Sequence, residues 1–212
     1  VNPFGKGRAV LLNFGVFDAP IDGVVKQLLR AAGATPTIHV TRPAGKEIPG
    51  LEITRWHNRE IELVALYGSA GGPARVQLPE KRFVYELKSG QDRGWVQEFS
   101  TTLRPYRASF FALLPTAALP PEIGLKEKIA RRGSQVEISL SLPGAAGLHA
   151  LRLHLTTPTG ERAAWFAQQL IVDQKPQEVV LPFAHNDPPG QWSIYATDLF
   201  TSRTTIAKLV LK

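Results

Sequence analysis

The feature that most constrains the fold of this 212-residue chain is an alternation of apolar and polar residues that begins near Ile38. Successive side chains of a β-strand point to opposite faces of a sheet, so this alternation is typical of strands with one buried face. Short turn signals, such as residues 57–60 and 157–160, separate the alternating runs. The pattern predicts a mainly β protein built from antiparallel sheets.

The alternating region divides into two parts. Residues 34–114 predict a small antiparallel β-sandwich, with strands that include residues 83–87 and 95–99. Residues 115–124 contain three prolines and show neither a strand nor a helix period, which favours an extended linker. Residues 125–212 predict about seven strands, which matches an immunoglobulin-like or fibronectin-like sandwich without the usual cysteine pair.

The first 33 residues show a different pattern. A continuously apolar run over residues 9–14 is typical of a strand buried on both faces. Val24, Val25, Leu28 and Leu29 recur at helical spacing, and Gly33 suits a helix end. Residues 1–33 therefore predict the last strand and helix of an α/β domain. Because the chain has no methionine and no signal peptide, we interpret it as part of a longer protein that begins at Val1 through processing, proteolysis or the design of the expressed chain.

Composition excludes several classes of protein. Without cysteine there is no disulfide, thiolate nucleophile or cysteine-bound metal. No run reaches the ~20 apolar residues of a membrane-spanning helix. The net charge of +7 is spread along the chain, with 15 basic against 10 acidic residues up to Leu114 and 10 against 8 after it. Because a binding stripe should cluster on one element, this favours a solvated surface and no nucleic-acid partner.

No catalytic, metal or cofactor motif is recognisable. Gly5-Lys6-Gly7 lies before a strand, which favours a turn over a phosphate-binding loop. His149 and His154 are predicted on opposite faces of one strand, and the triplet at residues 185–187 suits a turn better than a cation site. The carboxylates expected to be exposed on strand faces or turns are Glu52, Glu60, Glu62, Glu86 and Glu98. We therefore predict no catalytic residue, no metal ligand and no cofactor.

The tryptophans are the remaining candidates for a binding site. Trp192 is in phase with Ile194, which predicts a core position. Trp56 is out of phase with its apolar neighbours, so Trp56 and Trp95 are the candidates for stacking against a sugar. For both, packing within the protein is favoured over ligand stacking.

Several segments resemble the end of the β-galactosidase trimerisation domain of glycoside hydrolase family 42 and the small β-sandwich that follows it. The segments are residues 5–13, the helix ending at Leu28-Leu29 and Ala32-Gly33, residues 82–90, Gly94, residues 103–105 and residues 111–115. The C-terminal half is similar to an immunoglobulin-like module appended to large bacterial members, through residues 147–149, 157–160, 183–192 and Asp198. In that family the catalytic glutamates lie on an upstream barrel, so none is assigned here.

The resemblance implies a non-catalytic accessory region of a large glycoside-hydrolase-like protein, with packing and assembly as its role. The alternative is a carbohydrate-binding or surface-adhesion β-sandwich. The expected partners are upstream domains of the parent chain, another subunit or a further copy of the chain, and carbohydrate in the alternative. The compartment stays open, with an extracytoplasmic location slightly favoured.

Overall fold

The computed structural model describes residues 2–4, 7–9 and 22–212, and the chain divides after His39 into two units. In the first unit, β1 (Asn2–Phe4) pairs antiparallel with β2 (Gly7–Ala9), and α1 spans Asp22–Ala31. Of the strand predicted over residues 9–14, Ala9 is the last residue of β2, and residues 10–14 lie outside the described residues. The predicted helix is present as α1.

Helix α1 ends where the sequence predicts. Gly33 has a φ of 78°, and its N–H donates to Arg30 O at 3.0 Å. The Ala34 N–H reaches back to Leu29 O at 2.9 Å. This pair of bonds is a Schellman cap, which needs a left-handed residue just after the helix, so glycine fits this position.

The first part of the second unit is a six-stranded sheet with the order β3-β6-β8-β5-β4, to which β7 adds by pairing with β6. Its strands are β3 (His39–Thr41), β4 (Glu52–Asn58), β5 (Ile61–Tyr67), β6 (Gly72–Glu86), β7 (Gln91–Leu103) and β8 (Ser109–Leu114). The pairings recorded within it are antiparallel.

The long β6–β7 hairpin folds over one face of this sheet. Its register shifts between Gln77 and Arg82, a bulge that bends a strand and increases its twist. Val76 and Phe99 are buried, and the Phe99 ring lies 4.9 Å from that of Phe111 on β8. The curled hairpin therefore closes a core over this face and leaves the opposite face for a second packing partner.

The second part is a β-sandwich of two sheets. One has the order β10-β16-β15-β12-β13 and the other the order β14-β11-β9. Its strands are β9 (Glu122–Leu125), β10 (Ile129–Ala130), β11 (Gln135–Ser141), β12 (His149–Thr156), β13 (Arg162–Val172), β14 (Gln177–Pro182), β15 (Gly190–Asp198) and β16 (Thr204–Leu211). Strand β9 begins within the segment predicted as the linker, residues 115–124.

The sandwich core has an aromatic centre. Trp192 is fully buried, as predicted, and its ring lies 5.2 Å from Phe183 and 6.1 Å from Phe166, both in edge-on geometry. The indole N–H of Trp192 donates to Pro188 O at 2.9 Å, so the buried ring keeps no unpaired donor. The strand content confirms a mainly β protein of the sandwich type.

Candidate functional site

The face of the six-stranded sheet that the hairpin leaves open packs against the C-terminal sandwich. Ile61, Tyr85, Ala112 and Leu114 are buried there. Ala146 and Phe200, from two loops of the C-terminal sandwich, complete this apolar cluster. We call the whole contact the junction. Since neither apolar surface is then left open to water, the junction stabilises both parts.

Polar contacts surround the apolar centre of the junction. The Asn58 side chain donates to Leu148 O at 2.6 Å and accepts from Leu148 N at 3.3 Å. The Tyr85 hydroxyl accepts from Ala118 N at 3.3 Å. Two ion pairs of 3.4 Å, Arg59 with Asp173 and Arg203 with Asp92, lie at its margin. The Asn58 bonds fix orientation, because an amide that is both donor and acceptor fits only one alignment of the facing backbone.

The loop that carries Phe200 is held by a buried pair, His149 and Asp198. Their side chains are 1% and 0% exposed, and His149 Nδ1 lies 3.0 Å from Asp198 Oδ1. The other Asp198 oxygen accepts from the Thr201 hydroxyl at 2.6 Å, and Phe200 N donates to Oδ1 at 3.2 Å. The His149 ring then packs 5.0 Å from that of Phe200.

A His–Asp pair resembles part of a catalytic triad, but this one has no access to a substrate. Both side chains are buried, and among the described residues His149 Nε2 contacts no hydrogen-bond partner that could act as a nucleophile. The pair instead positions Phe200 in the junction.

Trp56 and Trp95, the predicted stacking residues, both lie on the face of the sheet that forms the junction. Trp56 pairs with Leu63 and Trp95 with Phe83, and Leu63 and Phe83 border the buried cluster. The tryptophans are 48% and 46% exposed. Trp56 is on β4 and Trp95 is on β7, and the strands β5, β8 and β6 lie between them. At the usual spacing of strands, the two tryptophans are therefore about 19 Å apart.

The structure thus does not bring Trp56 and Trp95 together as one platform. Trp95 also contacts the Phe83 ring at 4.9 Å, which occupies part of its surface. Each tryptophan offers a separate exposed ring, one at each side of the junction.

The expectation that all the strand glutamates are exposed is wrong for two of them. Glu62 is 9% exposed and pairs with Arg55, and its hydrogen bond raises the pKa of that guanidinium. Glu86 has a half-buried side chain that pairs with Arg93 at 2.8 Å. Both face the side of the sheet that the β6–β7 hairpin covers, so burial follows from the curl of the sheet.

Two further predictions concern histidines and cation binding. His149 points into the protein and His154 faces outward, as their spacing predicts. In the triplet at residues 185–187, Asp187 Oδ2 accepts from Ala184 N at 2.7 Å, a local turn. Over residues 22–212, no group of three or more His, Asp or Glu side chains is placed to hold a metal ion.

The His149–Asp198 pair has no counterpart among the predictions from the sequence. Asp198 follows the alternating run of β15 at a position where a core residue is expected, and that signal could have indicated a buried carboxylate. Its partner is 49 residues away, so the pairing itself had no local signal.

No family model and no curated protein matches the chain. Solved structures of other proteins do align with it. An α-2-macroglobulin of Escherichia coli aligns at 11% identity and a TM-score of 0.36, over 79% of this chain and 12% of that one. A polysaccharide lyase aligns at 10% identity and a TM-score of 0.31, over 79% of this chain and 26% of that one.

An isomalto-dextranase of Arthrobacter globiformis, in complex with panose, aligns at 13% identity and a TM-score of 0.27, over 88% of this chain and 37% of its own. The chain thus spans well under two thirds of each of these proteins. At such scores the alignments identify no family, and they carry no assignment of activity. No helix in the described part of the chain has the length and apolarity to cross a membrane.

Proposed function

We propose that the chain is a non-catalytic accessory region of a larger, glycoside-hydrolase-like protein, in which it supports domain packing and assembly. The observation that carries the proposal is the junction, where Phe200 and Ala146 of one sandwich complete the apolar cluster of another sheet. A flexible linker would leave each part with its own closed core. A shared core instead makes a stiff connecting unit.

In this proposal the C-terminal sandwich is immunoglobulin-like or fibronectin-like, with sheets of five and three strands as observed. The resemblance to family 42 proteins supplies the parent class. Helix α1 adds support for a partner outside the described residues, because Val24, Val25 and Leu29 on it are between 36% and 50% exposed. The partner would be an upstream domain, another subunit or a second copy of the chain.

The test follows unfolding of the six-stranded sheet and of the C-terminal sandwich separately, by hydrogen exchange in increasing urea. We expect one shared transition in the natural chain and two separate ones in the Phe200→Ala variant. Because Phe200 is only partly buried, its removal should cost ~2 kcal/mol, below the value for a fully buried ring. Ile206→Ala, at a residue 52% exposed on β16, is the matched control and should leave one transition.

Independent transitions in the natural chain would refute the stiff unit. The same preparation, assayed on a panel of β-galactosides, should show no hydrolysis above background. Turnover that survives purification would overturn the non-catalytic assignment.

The exposure of Trp56 and Trp95 favours a second function, carbohydrate binding by stacking of a sugar ring on each indole. Titration with neutral polysaccharides while tryptophan fluorescence is recorded should then give a saturable change. Trp56→Ala and Trp95→Ala should each remove part of it, and the double variant should abolish it. Trp165→Ala is the control, since Trp165 is 64% exposed on the C-terminal sandwich. An unchanged titration in both variants would exclude stacking at these residues.

A further inference from the structure

A cleft of about 650 Å³ opens at one end of the curled sheet, between the β6–β7 turn, β7 and the β7–β8 connection. Its size lies within the usual range for small-molecule sites. It lies on the side of the sheet that carries Glu86, so it is separate from Trp56 and Trp95. The proposed accessory role does not depend on it.

The cleft is strongly basic. Lys88, Arg93, Arg104 and Arg107 line it, and Glu86 is the only carboxylate in the described part of its lining. Glu86 is already engaged, because Arg93 Nη2 donates to it at 2.8 Å. Among the described residues, no carboxylate lies within ion-pair distance of the other three cations. A net positive concave surface raises the local concentration of anions.

Two of the cations are held in position. Arg93 Nη1 donates to Ser100 O at 2.7 Å, and its guanidinium lies 6.0 Å from the centre of the Phe99 ring. Lys88 Nζ donates to Ala108 O at 2.8 Å and lies 5.5 Å from the Phe110 ring. Such contacts reduce the conformational entropy that each cation would lose on binding a ligand.

Arg104 and Arg107 flank a fixed turn. Arg107 N donates to Arg104 O at 3.1 Å, and Tyr106 between them has a φ of 57°. The Tyr106 N–H donates a hydrogen bond to Gly68 O at 2.8 Å. The turn therefore presents two guanidinium groups from a defined backbone, and a guanidinium suits the planar carboxylate oxygens.

The rest of the lining is rich in hydroxyl groups, from Ser89, Thr101, Thr102 and Ser109. Hydroxyls can donate to and accept from sugar hydroxyls. The described lining has no aromatic residue, whereas single-stranded nucleic acid is usually bound on stacking aromatics. We infer that this cleft binds an acidic sugar, with the guanidinium groups on its carboxylate and the Ser and Thr hydroxyls on its ring hydroxyls.

The experiment is calorimetric titration of the whole chain with a galacturonic acid trisaccharide and with the neutral galactose trisaccharide. We expect the acidic sugar to bind and the neutral one to bind at least about tenfold more weakly, as the loss of charge-assisted hydrogen bonds predicts. Raised salt should weaken the acidic complex. Inorganic sulfate, titrated as a competitor, distinguishes a simple anion site from one that also recognises the sugar.

The double variant Arg104→Ala/Arg107→Ala should lose about tenfold or more in affinity for the acidic trisaccharide. The matched control is Arg131→Ala/Arg132→Ala, which removes the same charge from another basic surface, beside His185 and Lys212. Thermal unfolding of both variants checks that they fold.

Four results would overturn the inference: no binding of the acidic trisaccharide, equal binding of the neutral one, equal losses in the two double variants, or equal competition by sulfate and the trisaccharide. A single-stranded oligonucleotide that binds more tightly than the trisaccharide, and depends on the same arginines, would assign the cleft to nucleic acid instead.

Discussion

Asp198 is a fully buried carboxylate whose two oxygens both accept hydrogen bonds. Burial of an unpaired charge costs several kcal/mol, whereas a carboxylate that is paired and hydrogen-bonded is tolerated. Here the bonds also shape the β15–β16 loop, since Phe200 and Thr201 both donate to Asp198. One residue therefore links the interior of the C-terminal sandwich to the junction.

His154, on the outer face of β12, gives a prediction about pH. Its ring stacks on Tyr195 at 4.6 Å, and its Nδ1 is buried without a partner among the described residues. Burial, and then the charges of Arg162 and Arg152, lower the pKa of His154 below 6.5. The unfolded chain thus takes up this proton at a higher pH than the folded chain does.

Protonation of His154 should therefore leave the free energy of unfolding unchanged above about pH 6.5. Below that value the free energy of unfolding should decline as the pH falls. The decline from one proton cannot exceed about 1.4 kcal/mol per pH unit. His154→Phe should flatten it, as measured by urea unfolding across this range. His185→Phe, at an exposed residue, is the control and should follow the natural chain. Parallel profiles for all three proteins would contradict the prediction.

At the scale of elements, the loop before β12 meets the β4–β5 hairpin with no space between them. A Cβ added at Gly147 would lie 2.6 Å from Asn58 O and 3.0 Å from Ile61 Cδ1. The first of these atoms is backbone, so one of the two loops would have to move. The close approach is what allows Asn58 to bond with Leu148.

Gly147→Ala should accordingly lower the free energy of unfolding by about 1–3 kcal/mol, the usual cost of overpacking. Gly23→Ala is the control, because a Cβ there meets nothing within 4 Å. Urea unfolding of both variants measures the difference. Equal stability of Gly147→Ala and the natural chain would show that the two loops are not in tight contact.

Elements with an uninterrupted pattern could be predicted from the sequence. The alternating Val136, Ile138 and Leu140 form β11, and the spaced apolar residues up to Leu29 form α1. The sequence predicts a turn at residues 57–60, one residue earlier than the turn in the structure. The left-handed residue is Arg59, with a φ of 55°, and Asn58 is the last residue of β4.

Strand β6 was only partly predicted. The sequence predicts a strand over residues 83–87, whereas β6 begins at Gly72, passes through Pro73 and Pro79 and ends at Glu86. Prolines usually end a strand, and here Pro79 lies where the register with β7 shifts. The resulting curl buries Glu62 and gathers the four cations of the cleft from segments that show no local cluster in the sequence. Neither the burial of Glu62 nor the grouping of the four cations could be predicted without knowledge of this bend.

At the scale of the whole molecule, residues 40–212 form one unit in which the six-stranded sheet and the C-terminal sandwich share apolar contacts. The centre of the junction combines strand residues of the six-stranded sheet with loop residues of the C-terminal sandwich, so the loss of Phe200 should affect both parts, as the hydrogen-exchange experiment tests. The basic cleft, Trp56 and Trp95 lie on the six-stranded sheet, which the C-terminal sandwich contacts at the junction.

The first strands of the C-terminal sandwich also determine how it would respond to tension. Strand β10 pairs with β16 in parallel, and three backbone bonds of 2.9 Å join residues 128–132 to residues 210–212. If neighbouring domains pulled residues 128 and 212 apart, the force would run along these strands and load the three bonds together in shear. Bonds loaded together resist more force than bonds that open one after another, so such a pull would meet these three bonds as one group.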